Sequence, residues 1–459
     1  MTGTFGGLNT ALSALRYQQV ALDVANNNIA NINTDGYVRR RAEAGAVAAP
    51  DQPAMWSRYD GHGDGVRTQQ VSRLVDPLLD TRSRRENGTL SYLTAQQTVL
   101  NRVETGINEP GDNGVTAALK ELNSAFQDLV SDPGGTAARE TVLAKAAAVA
   151  TAFKAQSDNI TAETADQEQH ASTVVQQVND AATELARLNK TIRVAELNNT
   201  DVGTLYDQRD LLALNLSKLT GAEVKVQDDG QYNVTVKGVA LVTGGTASTM
   251  AVAGTSPSVA VTIGSDPVSG FSGELGAVVD VLNKTLPTYK ASLDKIASDF
   301  ADAINTQHAK GTGLDGSTGQ PLFTIGDSGN PAASLTVAVT AQQLAAAGPG
   351  TGTLDGSNAD ALSRITKTAK NADGTTVESA YSALVTGFGT TVASVNRQTS
   401  NQQALTQQVD DEREQMAGVN LDEETINMVA AQHAYEAASK VLSIMDSILD
   451  TLINGTGVG

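Results

Sequence analysis

The stretch LNTALSALRYQQVALDVANNNIANINTDGY, Leu8 to Tyr37, decides how the rest of the chain is read. Leu8, Leu15, Leu22 and Ile29 recur at heptad spacing, with Ala11, Ala25 and Ile32 at the half-heptad. Apolar residues at a and d positions form a narrow seam along a helix, and such a seam needs a second helix to cover it. The other end repeats the device. Leu421, Met428, Tyr435, Leu442 and Leu449 keep the same spacing, with Ala431, Ala438, Met445 and Leu452 between them. Residues 1–37 and 419–459 therefore read as two helices that want partners. The simplest partners are each other, and after that the same helices of neighbouring copies.

The first helix runs into Asn31-Ile-Asn33-Thr-Asp-Gly36-Tyr37, where Asn and Asp favour turns and Gly36 is free to take the left-handed conformation that stops a helix. Asn26, Asn27, Asn28, Asn31 and Asn33 are dense for a helix end and weaken its propensity. One reading is a frayed polar terminus. The sharper one is that these amides hydrogen-bond across packed helices and fix register, as a buried Asn does in a coiled coil.

Composition narrows the classes. A formal charge of −19, from 51 acidic and 32 basic residues, argues against nucleic acid and against insertion into or adsorption on an anionic membrane. The chain has no cysteine, so disulfide and thiolate chemistry are excluded. Aromatic residues make up only 4%, which suits slender helical rods with Ala/Leu seams better than a thick core around a pocket. Met1 to Gly7 has no basic residue and no apolar run follows, so no cleavable signal peptide is expected.

Between the ends the period changes several times. Residues 38–221 read as an extended segment, irregular to residue 88, followed by a helical rod domain from Thr89. Its stripes include Leu119, Leu122, Phe126 and Leu129, then Val174, Val178, Ala181 and Leu185. Residues 222–270 form a β-rich domain, with period two at Val224, Val226 and Val234, Val236 around Asp229-Gly230. Residues 271–310 return to the rod with a helix that Pro287 should kink. Residues 311–375 read as a loop and small β region, and 376–418 as a further rod helix. The chain is expected to be mainly α with a β module: an elongated, multidomain molecule with a terminal α-helical coiled coil, a long helical bundle and a central β-rich domain. Helices at both ends enclosing a β module should bring the termini together at one end.

No reaction chemistry is legible. His62, His170, His308 and His433 lack metal-ligand spacing. Phosphate-binding loops, dinucleotide fingerprints and nucleophile elbows are missing. No catalytic, cofactor or metal residue is nominated, and an enzyme is not expected. Glu423-Glu424 is expected to complement a helix N-terminus after Asn420.

Ala25 to Tyr37, with its Asn-rich run, resembles the N-terminal signature of bacterial flagellar rod, hook and hook-associated proteins. Gly418-Val-Asn-Leu-Asp-Glu-Glu424, Ala434-Tyr-Glu-Ala-Ala438 and Leu449–Ile453 resemble the C-terminal one. The middle narrows this axial family. Leu205-Tyr-Asp-Gln-Arg-Asp-Leu211, Leu216 to Leu219, Ser272-Gly-Glu-Leu275, Asn305-Thr-Gln-His308 and Gly313-Leu-Asp-Gly316 resemble its hook-associated branch at the hook–filament junction. Two departures stand out: Asp35 occupies a position where the family usually has proline, and residues 311–375 are short for an outer domain.

The resemblance implies a structural protein of the bacterial flagellum, exported unfolded by the type III apparatus with an export chaperone and without signal cleavage. It implies terminal helices disordered in the monomer that pair as a coiled coil on assembly. Copies would form a ring at the hook–filament junction, extracellular, resting on hook protein, receiving hook-associated protein 3 and allowing filament growth. The assembly seam would be Leu8, Leu15, Leu22, Ile29, Ile32, Leu421, Met428, Tyr435, Leu442, Met445, Leu449 and Leu452. The axial motif would be Asn26, Asn27, Asn31, Asn33, Gly36 and Tyr37. Two other readings stay open: a hook or rod protein of the same family, or a secreted helical adaptor or adhesin that binds through the β module.

Overall fold

The computed structural model describes residues 2–47, 65–112, 114–198 and 200–455, with side chains from Gly6 to Thr451. Its long helices are α1 (Thr2–Ala30), α2 (Pro77–Ile107), α3 (Val115–Ser131), α4 (Thr136–Leu197) and α5 (Gly203–Thr220). After the β region come α6 (Gly273–Asp280), α7 (Leu286–His308), the short α8 (Pro331–Ser334), α9 (Ser357–Thr368), α10 (Val377–Ala417) and α11 (Leu421–Gly455). A hairpin of β1 (Arg40–Ala46) and β2 (Val66–Arg73) follows the first helix.

The spine is α4, 62 residues without a glycine or proline, roughly 90 Å long at the helical rise. Two apolar cores are strung along it. Val142, Val149, Phe153 and Ile160 enter the first, with α3, α7, α9 and the first half of α10. Val174, Val178 and Leu185 enter the second, with α5, α6 and the β module. Glu163 and Gln167 are buried polar residues between these stretches. The Glu163 carboxylate accepts from Gln167 and from Arg102 on α2.

The β module holds an antiparallel sheet of β3 (Glu223–Val226), β4 (Tyr232–Val236), β5 (Val239–Thr243) and β6 (Thr246–Ala247), and another of β7 (Met250–Ala253), β8 (Ala260–Ile263) and β9 (Asp266–Val268). Val224 faces Val234 across the first hairpin, and Gly230 supplies the positive φ its turn requires. A small pair, β10 (Phe323–Ile325) with β11 (Leu335–Val337), closes over α7 and α4.

One device recurs at five places where an extended segment meets a helix. A helical asparagine amide bonds both backbone groups of a residue that starts a strand or immediately precedes it. Asn179 does this to Met250, Asn189 to Tyr232, Asn283 to Val259 and Asn305 to Phe323. Asn28 does the same to Arg40. The side-chain amide offers the donor and acceptor of a peptide group, so it satisfies backbone that a neighbouring strand would otherwise pair.

Two expectations are corrected. The stretch to residue 88 is not all irregular: α2 begins at Pro77, capped by Asp76, whose Oδ1 accepts from the Leu78 and Leu79 amides at 2.8 and 3.2 Å. Its first turns lack an apolar stripe because they meet α10 through polar groups. Asp80 pairs with Arg413 at 2.7 Å, Ser83 donates to Asp410 at 2.6 Å, and Gln402 donates to Glu86 at 2.9 Å. The region 311–375 is more than loop and strand, since α9 lies within it and buries Ala359 and Leu362 in the first core. A π-helical turn over Val281–Thr285 stands directly before α7, and Pro287 lies in the first turn of that helix.

Candidate functional site

The two terminal helices pack against each other. Among the described side chains of α1, Ala11, Ala25 and Asn28 are buried, and Leu8, Leu15, Leu22 and Ile29 are half-buried beside them. On α11, Glu424 and Ala431 are buried, while Met428, Ala434, Ala438, Leu442, Met445 and Leu449 are half-buried. These residues keep the three-four step of a coiled-coil face. Three nominated seam residues fall outside it: Ile32, Leu421 and Tyr435 are 40%, 51% and 40% exposed. Ala434 occupies the covered side instead of its bulkier neighbour Tyr435. The side chain of Leu452 lies outside the described residues.

α11 also exposes apolar residues away from α1, in two patches: Ile426 with Val429, then Val441, Ile444 and Ile448, with His433 and Lys440 between them; Ile426 is 68% and Ile444 59% exposed. Nothing in the chain covers them among the described residues.

The asparagine run does not act as a group. Asn26, Asn27 and Asn33 are exposed. Asn31 turns back to its own helix, donating to the Asn27 carbonyl at 2.9 Å. Among these amides only Asn28 crosses the pair. It is fully buried; its Nδ2 donates to Glu424 Oε2 and to the Arg40 carbonyl, each at 2.9 Å. Its Oδ1 accepts from the Tyr37 hydroxyl at 2.9 Å and the Arg40 amide at 3.1 Å. Donors and acceptors match on both sides, which fixes the amide orientation. Gly36 has φ +76°, as the turn requires, and packs on Leu211 of α5.

Arg39 and Arg40 fan outward in opposite senses from the extended chain after Tyr37. Arg39 reaches α11, with Nε 2.7 Å from Glu424 and Nη1 2.7 Å from Glu423. Arg40 reaches the body, with Nη2 3.0 Å from Asp207 on α5. Arg73, at the end of β2, joins Asp207 and Asp210 at 2.8 and 2.7 Å. Burial pushes the Asp207 carboxyl above its usual range, and Arg73 and Arg40 oppose that shift. Asn420 caps α11 through the Asp422 and Glu423 amides at 2.9 and 3.3 Å. The result is a joint: one hairpin root clamps the terminal pair on one side and the body on the other. Arg39 and Asp207 were not nominated from the sequence, and Glu424 was expected only to complement the N-terminus of its own helix. Their signal is the charge pattern Arg39-Arg40 against Glu423-Glu424, which spacing along one helix does not reveal.

The histidines among the described residues have ordinary roles. His308 is buried at the end of α7, its Nδ1 2.7 Å from the Gln320 carbonyl, with the Ala345 amide donating to Nε2 at 2.9 Å. His170 meets Glu274 at 2.8 Å, His433 is exposed, and His62 lies outside the described residues. No helix among the described residues is long and apolar enough to cross a membrane.

Comparison with known proteins places these features in context. Residues 100–323 match the flagellar hook-associated protein FlgK helical domain. Residues 8–37 match the flagella basal body rod protein family, and 413–455 the C-terminal family of the basal body rod FlgEFG proteins. The chain is 30% identical to flagellar hook-associated protein 1 of Bacillus subtilis, over the full length of both. It is 25% identical to flagellar hook-associated protein 1 of Escherichia coli, over 97% of this chain and 99% of that one. The fold is similar to that of the flagellar hook junction protein FlgK from Burkholderia pseudomallei, with a TM-score of 0.66 at 17% identity, over 73% of this chain and 99% of that structure.

Proposed function

We propose, for a chain that belongs to the flagellar hook-associated protein 1 family, that copies assemble through their terminal helix pairs into a ring on the hook and thereby allow the filament to grow. Membership makes the chain an axial, structural protein of the bacterial flagellum at the junction of hook and filament. The finer reading is ours. Each copy contacts its neighbours laterally, hook protein below and hook-associated protein 3 above. It leaves the cell unfolded through the type III apparatus, helped by an export chaperone, with no cleaved signal peptide. The nominated seam and the axial motif, Asn26, Asn27, Asn31, Asn33, Gly36 and Tyr37, are assembly elements in this reading. The terminal pair serves assembly and residues 38–418 form the body. A non-catalytic role follows from the family's structural character.

The observation that carries this reading is the two-faced α11. One face is covered by α1, and away from it Ile426 and Ile444 stand 68% and 59% exposed. A helix apolar on both sides needs a second partner, and copies of the same pair in a closed array supply one. Isolated helices of this kind are marginal until covered, which fits ordering on assembly.

The test is Ile444→Asp in a flagellated strain. Hooks should remain, flagellin should appear as monomer in the medium, and filaments should be missing, while the purified body keeps its circular dichroism spectrum. Normal filaments on that strain would overturn the reading. A hook or rod assignment instead demands that deletion of the gene removes hooks. The match of residues 100–323 to the hook-associated helical domain favours the junction over that alternative.

A further inference from the structure

We infer that the body is hinged: the second core, carrying the β module, swings as a unit against the first about α4, and the π-helical turn before α7 is the segment that yields. The hinge belongs to a single copy and stands apart from ring assembly. The two cores share no residue. They divide at adjacent positions of the turn itself, since Val281 packs in the first core and Leu282 in the second, each 0% exposed. A π-helical turn carries one residue more than an α-helix over the same length, and it is a place where a helix changes its path. Close-packed cores resist deformation, so displacement concentrates where packing is interrupted.

A cleft of about 790 Å³ lies between the two parts, with Ser256 and Pro257 of the β7–β8 loop on one wall and Lys290, Asn330 and Pro331 on the other. The walls are not tied to each other. Lys290 bonds within its own wall, to Asp294 at 2.8 Å and Asn330 at 2.7 Å. The Ser256 amide donates to Glu168 on α4 at 2.8 Å, and its hydroxyl donates to the Leu282 carbonyl at 2.6 Å. Among the described residues no hydrogen bond or ion pair joins β7, β8 or their loop to α7 or to residues 326–331. The β module is held inward instead, through Asn179 to Met250 and Asn283 to Val259. When the module moves it takes Leu282 and Asn283 with it, while Leu286 stays in the first core.

The spine changes character at the same level. Between Ile160 of the first core and Ala171 of the second, α4 buries the polar Glu163 and Gln167. Gln167 Nε2 donates to Glu163 at 2.9 Å, which fixes the amide orientation, and its Oε1 is buried without a donor. An unmet acceptor disfavours this packing, and a movement that admits water relieves it. A second cleft, of about 830 Å³, opens between α4 and α2 against Asp166, Gln167 and Thr94. With open space beside it on both of these fronts and no glycine or proline within it, α4 is the axle.

The chain has no cysteine, so introduced ones carry spin labels without background. The experiment measures label distances by pulsed electron spin resonance in the purified full chain. One label sits at Ser258→Cys, beside Pro257, and the other at Ser328→Cys on the opposite wall, both exposed. Two controls keep both labels on one side: Ser172→Cys with Ser258→Cys, and Asp302→Cys with Ser328→Cys. Hinge motions are slow enough for freezing to trap both arrangements. The cleft pair should give a split or broad distribution, wider than either control by several ångström. Deletion of Lys284, an exposed residue of the π-helical turn, restores the α-helical count and should narrow the cleft distribution to the control width. A cleft pair as narrow as the controls overturns the hinge. A control as broad as the cleft pair also overturns it, because a loop and not the module would then be moving. Undiminished breadth in a folded deletion variant overturns the turn as the yielding segment. If the deletion misfolds by circular dichroism, hydrogen exchange of the intact chain decides. Amides of residues 281–286 should exchange faster than those of 293–300, although Val281, Leu282 and Leu286 are as buried as Leu293 and Phe300. Equal protection overturns the inference. None of these results bears on ring assembly, which is read from filament growth.

Discussion

The Asn28 side chain donates to the Glu424 carboxylate at 2.9 Å, although the two residues are 396 positions apart. Both are buried, and among the described residues they join the facing sides of the terminal helices by a direct side-chain hydrogen bond. Arg39 completes it from the hairpin root. The terminal pair is thereby locked at one height relative to the body, because a buried polar match tolerates no slip of one turn.

Glu424→Ala should release that lock. The variant loses the charged bonds to Arg39 and Asn28, a cost of about 2 to 3 kcal/mol confined to the joint. Filaments on cells carrying it should detach from hooks at a lower temperature than wild type, while the melting of the isolated body is unchanged. Equal detachment temperatures would remove the joint from the account of how the pair is held.

Asn189→Asp tests the asparagine device. The replacement keeps the shape but turns the donor toward the Tyr232 and Gly244 carbonyls, at 2.8 and 2.7 Å, into a second acceptor. The lost donor costs about 3 kcal/mol and the new carboxylate, facing Arg209 Nη1 at 3.3 Å, offsets part of it, so a net loss of about 1 to 2 kcal/mol is expected in denaturant unfolding. Asn101→Asp, on an exposed turn of α2, should stay within about 0.5 kcal/mol. Similar effects at both positions would show that the added charge, not the lost pairing, governs stability.

His308 sets a pH dependence. Burial holds its imidazole below the usual value of 6.5, and its neighbours fit a neutral ring protonated on Nδ1. The unfolded chain therefore takes up a proton that the folded chain resists. This contribution to stability is complete above about pH 6.5 and declines as pH falls toward the lowered folded value. Unfolding free energies between pH 7.5 and 5 should fall more steeply for wild type than for His308→Gln. Parallel curves would assign the acid sensitivity to other groups.

Tyr435 and Ala431 separate the two faces of the terminal pair. Ala431 is buried in the seam, so Ala431→Leu should overpack it and cost about 1 to 3 kcal/mol of pairing. Tyr435 stands at the edge, and Tyr435→Ala should leave the pair intact while weakening incorporation into flagella. Proteolysis of assembled flagella and immunoblotting of shed protein measure the two effects. Identical behaviour of the variants would mean that the faces are not distinct.

Much of this architecture is legible in the sequence because apolar period reports burial. The stripes of α3, α4 and α7 and the hairpin at Asp229-Gly230 are visible for that reason. The start of α2 is not, since Asp80, Ser83 and Glu86 face α10 with hydrogen bonds and leave no stripe to count. The twelve-residue α9 hides among turn-forming neighbours. At the joint the asparagine run is conspicuous, but periodicity does not say which amide turns inward. Asn28 is singled out by what it meets, Arg40 and Glu424, and that is a property of the folded chain. Heptad counting likewise places Tyr435 in the seam, whereas its bulk is accommodated at the rim and the small Ala434 takes the covered side.

The long helix α4 has a mechanical meaning. A rotating flagellum loads its axial proteins in torsion, and α4 offers an unbroken strut past both apolar cores, with no glycine or proline to yield. The return path is built differently: a π-helical turn and Pro287 interrupt the run from α6 into α7. Twist delivered at one end therefore travels along a stiff member, while the compliance sits in the chain that comes back beside it.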